Sequence, residues 1–423
     1  MVSNKSSRKY DLLLIGATGY TGCITAEQIA AHLPTNLKWA IASTSQPKLE
    51  RLAEKLSKSA DRLQPTIEII SVDDEKKLAS LVGQSRVCIS TVLYARAGEQ
   101  VVKACAENGT DYVDCAAVPD LVQTWISKYH DTAAKTGAAL IHACGALVAP
   151  LDLMVWIAAR EIDRKWSLKT RDVTLRLDEL DTNLSGGTIR TVIGHASIGG
   201  KAIAEAEHPS ALSPIRHPGE ISIKRGVHQH RRLGFLASSS LTADQNRALI
   251  YRTWGLLQGT EKSYGPNFAF NEYEKANSVL GGVGLLVQAY VIGLIMLLTR
   301  IPFFKNLMLS AAPAAGDGPD VEAAKSVVVS MEAVAVADDG VADDGVARRD
   351  GPCKYAHVKF LYPYGHYPVT GLFMIQAAAS LLYHRKLEGD LTGGCLTPAV
   401  LGDDFVERTK LVDMKWPVEL RED

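Results

Sequence analysis

Leu12-Leu13-Leu14-Ile15-Gly16-Ala17-Thr18-Gly19-Tyr20-Thr21-Gly22 is the stretch that decides the fold. Four aliphatic residues in a row suit a strand buried on both faces. The three glycines stand where such a strand would hand over to a helix. Gly16 ends the strand so that the chain can turn, Gly19 lets backbone approach a pyrophosphate, and Gly22 lets the helix pack close to the sheet. A helix starting near Tyr20 aims its unpaired N–H groups and positive dipole end at phosphates. Gly16, Ala17, Thr18, Gly19, Tyr20, Thr21 and Gly22 are therefore the expected phosphate-contact residues.

Outward from this loop, short β-type runs alternate with longer helical patterns over the first 150 residues or so. Strands are predicted at Asp11 to Ile15, Lys38 to Ala42, Thr66 to Ile70, Val87 to Thr91, Asp111 to Asp114 and Ala138 to His142. Helical stretches such as Thr21 to His32, Pro47 to Ser57, Asp74 to Leu81, Gly98 to Asn108 and Leu121 to Thr136 separate them. That rhythm gives an α/β fold: an N-terminal Rossmann-type, doubly wound parallel sheet, with a second α+β substrate domain after it. The expected boundaries are 1–148 for the dinucleotide-binding domain, 149–392 for the substrate and oligomerisation domain, and 393–423 for a C-terminal helix and tail packing back on the first. Ala311 to Pro319 reads as a Pro/Gly/Ala linker. The near-repeats Val336-Ala337-Asp338-Asp339-Gly340 and Val341-Ala342-Asp343-Asp344-Gly345 read as part of a flexible loop over 331–351.

Which nucleotide binds is decided at the end of the second strand. There an Asp or Glu would accept from a ribose 2′-OH, whereas hydroxyls and cations suit a 2′-phosphate. The chain has Ser43, Thr44 and Ser45, with Lys48 and Arg51 a turn further on. NADP is favoured over NAD, and loss of the cofactor altogether stays open. Thr91 and Asp114, at the ends of later strands, complete the expected cofactor contacts.

Composition removes several classes of function. With 46 basic and 47 acidic residues the net charge is −1, and no basic stripe with interleaved aromatics occurs, so nucleic acid is not an expected partner. The seven cysteines are scattered singly, which points to a reduced, cytoplasmic setting and offers no zinc site. No metal is expected. On a strand His228 and His230 would share one side, but no third ligand is tied to them by spacing.

Val279 to Thr299 runs for 21 residues without a charge and is followed by Arg300, Pro302, Phe303, Phe304 and Lys305. Three readings stay open: a fully buried helix of the second domain, peripheral attachment to a membrane or lipid-droplet surface, or a membrane span.

Taken together, the loop Gly16 to Gly22, Trp39-Ala40-Ile41-Ala42, Gly98-Glu99, Tyr112-Val113-Asp114, Lys128-Tyr129-His130, Cys144-Gly145, Ser185-Gly186-Gly187-Thr188, Tyr264-Gly265-Pro266 and Thr397-Pro398-Ala399 resemble the saccharopine dehydrogenase-like oxidoreductases, including trans-acting enoyl reductases of lipid and polyketide metabolism. The resemblance runs along nearly the whole chain. It implies NAD(P)H-dependent reduction of a C=C or C=N bond in a hydrophobic lipid- or polyketide-type intermediate. It also implies substrate contacts at Cys144, Ser185, Gly186, Gly187 and Thr188, with Tyr94 as the proton donor to test.

Four places depart from the family's pattern: Ala42-Ser43-Thr44, Val92-Leu93-Tyr94, Ala116-Ala117-Val118 and Ala146-Leu147-Val148. All lie at expected carboxyl ends of strands, where polar groups give way to apolar ones. Either the pocket has become apolar for a hydrophobic substrate, or a non-redox descendant binds or rearranges such a molecule in the same cleft. A lipid-surface scaffold is the third reading, and a homodimer is compatible with all three.

Overall fold

The computed structural model describes residues 5–58, 61–179, 184–197, 200–219, 221–314, 316–320, 327–339 and 353–423. Its strands are β1 (Tyr10–Ile15), β2 (Trp39–Ser43), β3 (Thr66–Ile69), β4 (Ser85–Ser90), β5 (Asp111–Asp114), β6 (Ala139–Ile141), β7 (Lys169–Glu179), β8 (Val227–His230), β9 (Gly234–Ala237), β10 (Ala269–Ala276), β11 (Val329–Asp338), β12 (Lys354–Tyr362), β13 (Gly394–Leu396) and β14 (Val418–Glu422). They form two seven-stranded sheets.

The first sheet has the order β13-β6-β5-β4-β1-β2-β3, with every pairing parallel. Leu12, Leu13 and Leu14 are fully buried because helices cover both faces of β1. The chain winds from β1 through β2 to β3, then starts again at β4 on the other side of β1. The crevice at this switch point, outside the carboxyl ends of β1 and β4, is where such sheets hold a ligand. All six strands expected from the sequence are present.

The second sheet, β14-β12-β11-β7-β10-β9-β8, is antiparallel apart from the β7/β10 pair. Helix Ala149–Trp166 packs on β7, β11 and β12, and its first eleven residues are buried. Helix His366–Tyr383 is buried from Tyr367 to Leu382 and packs on helix Tyr20–His32 and on β4 and β5. A segment late in the chain thus covers one face of the first sheet.

Three expectations change. Residues 331–338 are not loop but most of β11, paired with both β7 and β12. The alternation in Met331-Glu332-Ala333-Val334-Ala335-Val336 is a strand pattern that the Asp-Asp-Gly repeat obscured, and residues 340–352 lie outside the described residues. Gly393 to Pro398 does not open the last helix: it carries β13, which extends the first sheet beside β6, and the chain ends with β14 in the second sheet. Helix Val279–Leu298 is not buried core, since Gly282 is its one buried residue.

Candidate nucleotide and substrate site

The glycine loop is held by close backbone packing. Gly16 has φ +85, and a Cβ there would stand 2.9 Å from the Thr91 carbonyl carbon. Left-handed backbone with no room for a side chain requires glycine. A Cβ on Gly22 would stand 2.2 Å from the Gly16 carbonyl oxygen, so the helix reaches the sheet only because Gly22 has none. The Gly16 N–H donates to the Ala42 carbonyl at 2.9 Å, and Ala17 is buried beneath the loop.

Gly19 is the N-cap of helix Tyr20–His32, and no side chain caps that end. Its first N–H groups are therefore available to an anion. Thr18 joins this cradle to the neighbouring strand end, its hydroxyl 2.7 Å from that of Ser43. Ser45 is the N-cap of helix Gln46–Ser57 without a side-chain cap bond, Thr44 and Lys48 are exposed beside it, and no carboxylate stands there. An uncapped helix end, a cradle that a Cβ would fill, and hydroxyls with a lysine at the end of β2 fit the pyrophosphate and 2′-phosphate of NADP.

Thr21 is half-buried in the first turn of the same helix, and its carbonyl accepts from the Thr25 hydroxyl. Thr91 serves the loop from below: its hydroxyl donates to the Ile15 and Gly16 carbonyls at 3.2 and 3.1 Å.

The remaining expected contacts separate into two groups. Asp114 and Cys144 are fully buried. One Asp114 oxygen lies 2.8 Å from His142 Nδ1, and the other accepts from the Ala116 and Ala143 N–H groups at 2.9 and 3.0 Å. Asp114 thus ties the ends of β5 and β6 together rather than meeting a cofactor, and burial opposes charge on His142 but its Asp114 partner outweighs that and raises its pKa to about 9. The Cys144 thiol donates to the Phe373 carbonyl, with its pKa pushed well up by burial, which places it in the core.

Tyr94 is likewise turned inward. Its hydroxyl donates to the Ser90 carbonyl at 2.7 Å and accepts from the Cys115 N–H at 3.1 Å. Burial, then the neighbouring Cys115 and Asp114, raises its pKa well above the ordinary value. A proton held this way serves the end of β4.

Ser185, Gly186, Gly187 and Thr188 do come to the crevice. Ser185 caps helix Gly186–Ala196 by accepting from the Thr188 N–H at 3.3 Å. The turn is fastened by Tyr367, whose hydroxyl accepts from the Ser185 N–H at 2.5 Å and lies 2.9 Å from the Thr188 hydroxyl. Tyr367 in turn meets Tyr20 of the glycine loop edge-on, ring centroids 4.9 Å apart. The expected linker is a strap over the same junction. Its Asp317 carbonyl accepts from the Gly186 N–H at 3.0 Å, and its Pro319 carbonyl accepts from the Tyr20 hydroxyl at 2.7 Å. Neither Tyr367 nor the strap carries a sequence motif: the late helix folding back brings Tyr367 here, and the strap arrives from helix Pro302–Ala311.

Among the described residues no group of three or more His, Cys, Asp or Glu side chains could hold a metal. His230 instead closes a turn, its Nδ1 accepting from the Arg232 and Leu233 N–H groups.

A parallel nucleotide-binding sheet, an anion cradle at its switch point and a second domain closing over that cradle define an NADP-dependent oxidoreductase. The particular kind is narrowed by comparison: residues 12–141 match the family described as Saccharopine dehydrogenase NADP binding domain. The chain is 28% identical over 427 residues, 95% of each sequence, to a Mycobacterium tuberculosis protein whose name assigns it provisionally to the trans-acting enoyl reductases. It is 29% identical over 285 residues to the trans-acting enoyl reductase of Mycobacterium leprae, covering 63% of this chain and 65% of that one. Among solved structures, apo saccharopine dehydrogenase (L-Glu forming) from Saccharomyces cerevisiae shares the fold with a TM-score of 0.52 and 12% identity, over 97% of this chain and 100% of that one.

Proposed function

We propose that the protein reduces a carbon–carbon double bond conjugated to the carbonyl of a hydrophobic, lipid- or polyketide-type acyl compound, using NADPH. The observation that carries this is an apolar carboxyl edge beside an intact nucleotide cradle. At the ends of β4, β5 and β6 Val92, Leu93, Ala117, Val118 and Leu147 are partly or largely accessible beside Thr91 and Cys115, while the polar groups of Asp114, His142 and Tyr94 are engaged inward. A C=N substrate made from an amino acid brings a carboxylate and a cation that need partners in a dry site. An enoyl chain needs neither, which agrees with the names of the mycobacterial relatives.

The bound dinucleotide supplies the hydride, solvent at the mouth of the crevice supplies the proton that the resulting enolate takes up, and the protein supplies position. The uncapped end of helix Tyr20–His32 binds the pyrophosphate; Ser43, Thr44, Ser45 and Lys48 select the 2′-phosphate. Tyr20, Tyr367 and the Ser185–Thr188 turn close the crevice from the second domain, and the strap carrying Asp317 and Pro319 excludes water from it.

The test is NADPH binding by fluorescence, followed by NADPH oxidation with a medium-chain 2-enoyl thioester and, in parallel, a cyclic imine. Oxidation with the thioester alone is expected. Binding of NADPH with turnover of the imine alone would overturn the choice of substrate, and failure to bind NADPH would overturn the reductase reading.

A further inference from the structure

Helix Val279–Leu298 and the following helix Pro302–Ala311, three residues further on, are two apolar helices on the outside of the second domain. Twenty residues of helix measure about 30 Å. The exposed positions recur at helical spacing, Val283, Val287, Tyr290, Leu294 and Leu297, flanked by Leu280, Val291, Ile295 and Leu298. Together they make one broad outward face without a charge. Leu280 is 81% exposed and Tyr290 68%, and the second helix continues the surface with Phe303 at 69%. On the opposite side Leu285, Ala289, Ile292 and Met296 are half-buried.

Both ends of the long helix are fastened to one body. At its start Ser278 caps it, and Gly282 lies so close to β8 that a Cβ there would stand 2.7 Å from both Val227 methyls. At its end Thr299 is buried, Arg300 reaches Gly200, and Lys305 Nζ donates to the Ser197 hydroxyl at 3.0 Å. Ser197 follows the helix whose His195 lies 2.8 Å from Asp120 of the first domain. A helix tied down at both ends of its length runs along the body. It cannot cross a bilayer with the body on one side.

The occupant of this face is set by its chemistry. A protein partner leaves a polar rim of hydrogen-bonding groups around an apolar centre. Here Gln288 is the one polar side chain exposed along the long helix, and at its far end stand Arg300, Lys305 and Lys201, the last with a 92% exposed side chain beside Glu205. An apolar helix face with aromatic and basic residues at its border suits the interface of an anionic lipid layer. The second helix also leads straight into the site. The Ala312 N–H still donates to the Met308 carbonyl of the second helix, the Pro313 carbonyl accepts from Arg190, and the strap then reaches Gly186 and Tyr20.

We infer that the helix pair Val279–Ala311 lies in the plane of an anionic lipid surface and sets the crevice between Tyr20 and Gly186 against it, so that the hydrophobic substrate enters from the lipid. The point of entry rests on the reading of the substrate above; the docking does not.

The test uses the full chain with vesicles of phosphatidylcholine, with and without phosphatidylglycerol. The protein is expected to float with the phosphatidylglycerol vesicles, and the variant Leu280→Glu/Val287→Glu/Leu294→Glu to partition on the order of a hundredfold less. That variant should keep its NADPH affinity and its turnover of a short, water-soluble enoyl thioester, which shows that it is folded. Turnover of a long-chain enoyl substrate should rise on vesicles for the parent and not for the variant; no rise would overturn entry from the lipid. Tryptophan introduced as Val283→Trp, Tyr290→Trp or Leu297→Trp should be quenched equally by brominated lipid. Quenching confined to the middle position would mean a span and overturn the in-plane geometry. A parent that stays out of the vesicle fraction, or a dimer that the triple substitution converts to a monomer, would overturn lipid docking. Docking without NADPH binding would overturn the reductase reading and leave the docking standing.

Discussion

Tyr367 stands edge-on to Tyr20, with planes at 86°, and its hydroxyl holds the Ser185 N–H of the second domain. One side chain therefore joins the glycine loop to the turn that faces it. Tyr367→Phe keeps the ring contact and leaves a buried N–H without its partner, which costs about 1–3 kcal/mol. Tyr367→Ala also removes the ring on which Tyr20 rests. Denaturant midpoints should fall for both variants. The KM for NADPH should rise clearly only for Tyr367→Ala, and equal KM values in the two would show that the ring does not shape the crevice.

Nucleotide choice is expected to turn on Ser43. Its hydroxyl meets that of Thr18 at 2.7 Å, so a carboxylate at the same position could still accept from Thr18. Ser43→Asp would place negative charge where the 2′-phosphate belongs and offer an acceptor to a ribose 2′-OH. The Kd for NADPH should rise by about tenfold or more, and that for NADH should fall. Unchanged preference in a paired titration would move the 2′-phosphate away from β2.

Tyr94→Phe distinguishes a structural from a chemical hydroxyl. The hydroxyl is shared between the Ser90 carbonyl and the Cys115 N–H, both at the carboxyl edge but behind it. Turnover should stay within a few-fold of the parent, while stability drops by about 1–3 kcal/mol as those two groups lose their partner. A loss of kcat on the order of a hundredfold or more, at unchanged stability, would make Tyr94 the proton donor after all.

How far the sequence carries can be argued from these residues. The first sheet was legible because each of β1 to β6 is local: an apolar run, a turn, a helix. The glycine loop was legible because backbone geometry at Gly16 and Gly22 admits no other residue. β13 was not, because three residues pairing with β6 from the far end of the chain leave no periodic trace. Tyr367 and the strap were hidden for the same reason. Asp114 and Cys144 misled differently: they stand at strand ends, where ligands bind, but the direction of a side chain there depends on partners such as His142 and Phe373 that lie far away in sequence. β11 was masked by the Asp-Asp-Gly repeat at its end, which drew the alternation from Met331 to Val336 into the reading of a loop.

The Asp114–His142 pair yields a prediction with a definite pH dependence. Burial disfavours the imidazolium, yet Asp114 at 2.8 Å lifts its pKa from 6.5 to about 9. A group whose pKa is raised by folding stabilises the native state fully below its unfolded value, and that contribution disappears as the pH climbs through the folded value. The pair's contribution should therefore be intact at pH 6, decline between about 6.5 and 9, and be gone by pH 10. A shift of this size corresponds to about 3 kcal/mol. The Cys395 thiol on β13 borders the same imidazole; burial raises its pKa, but hydrogen bonds with His130 and His142 draw it down to about 7. The measurement is urea unfolding of the parent and Asp114→Asn across this range, with Cys395→Ala as the common background so that the neighbouring thiol does not titrate with the imidazole. The gap in stability between the two should narrow steadily from pH 6 to pH 10. A gap that stays constant would mean that His142 remains neutral in the folded protein and that Asp114 acts only through the Ala116 and Ala143 N–H groups.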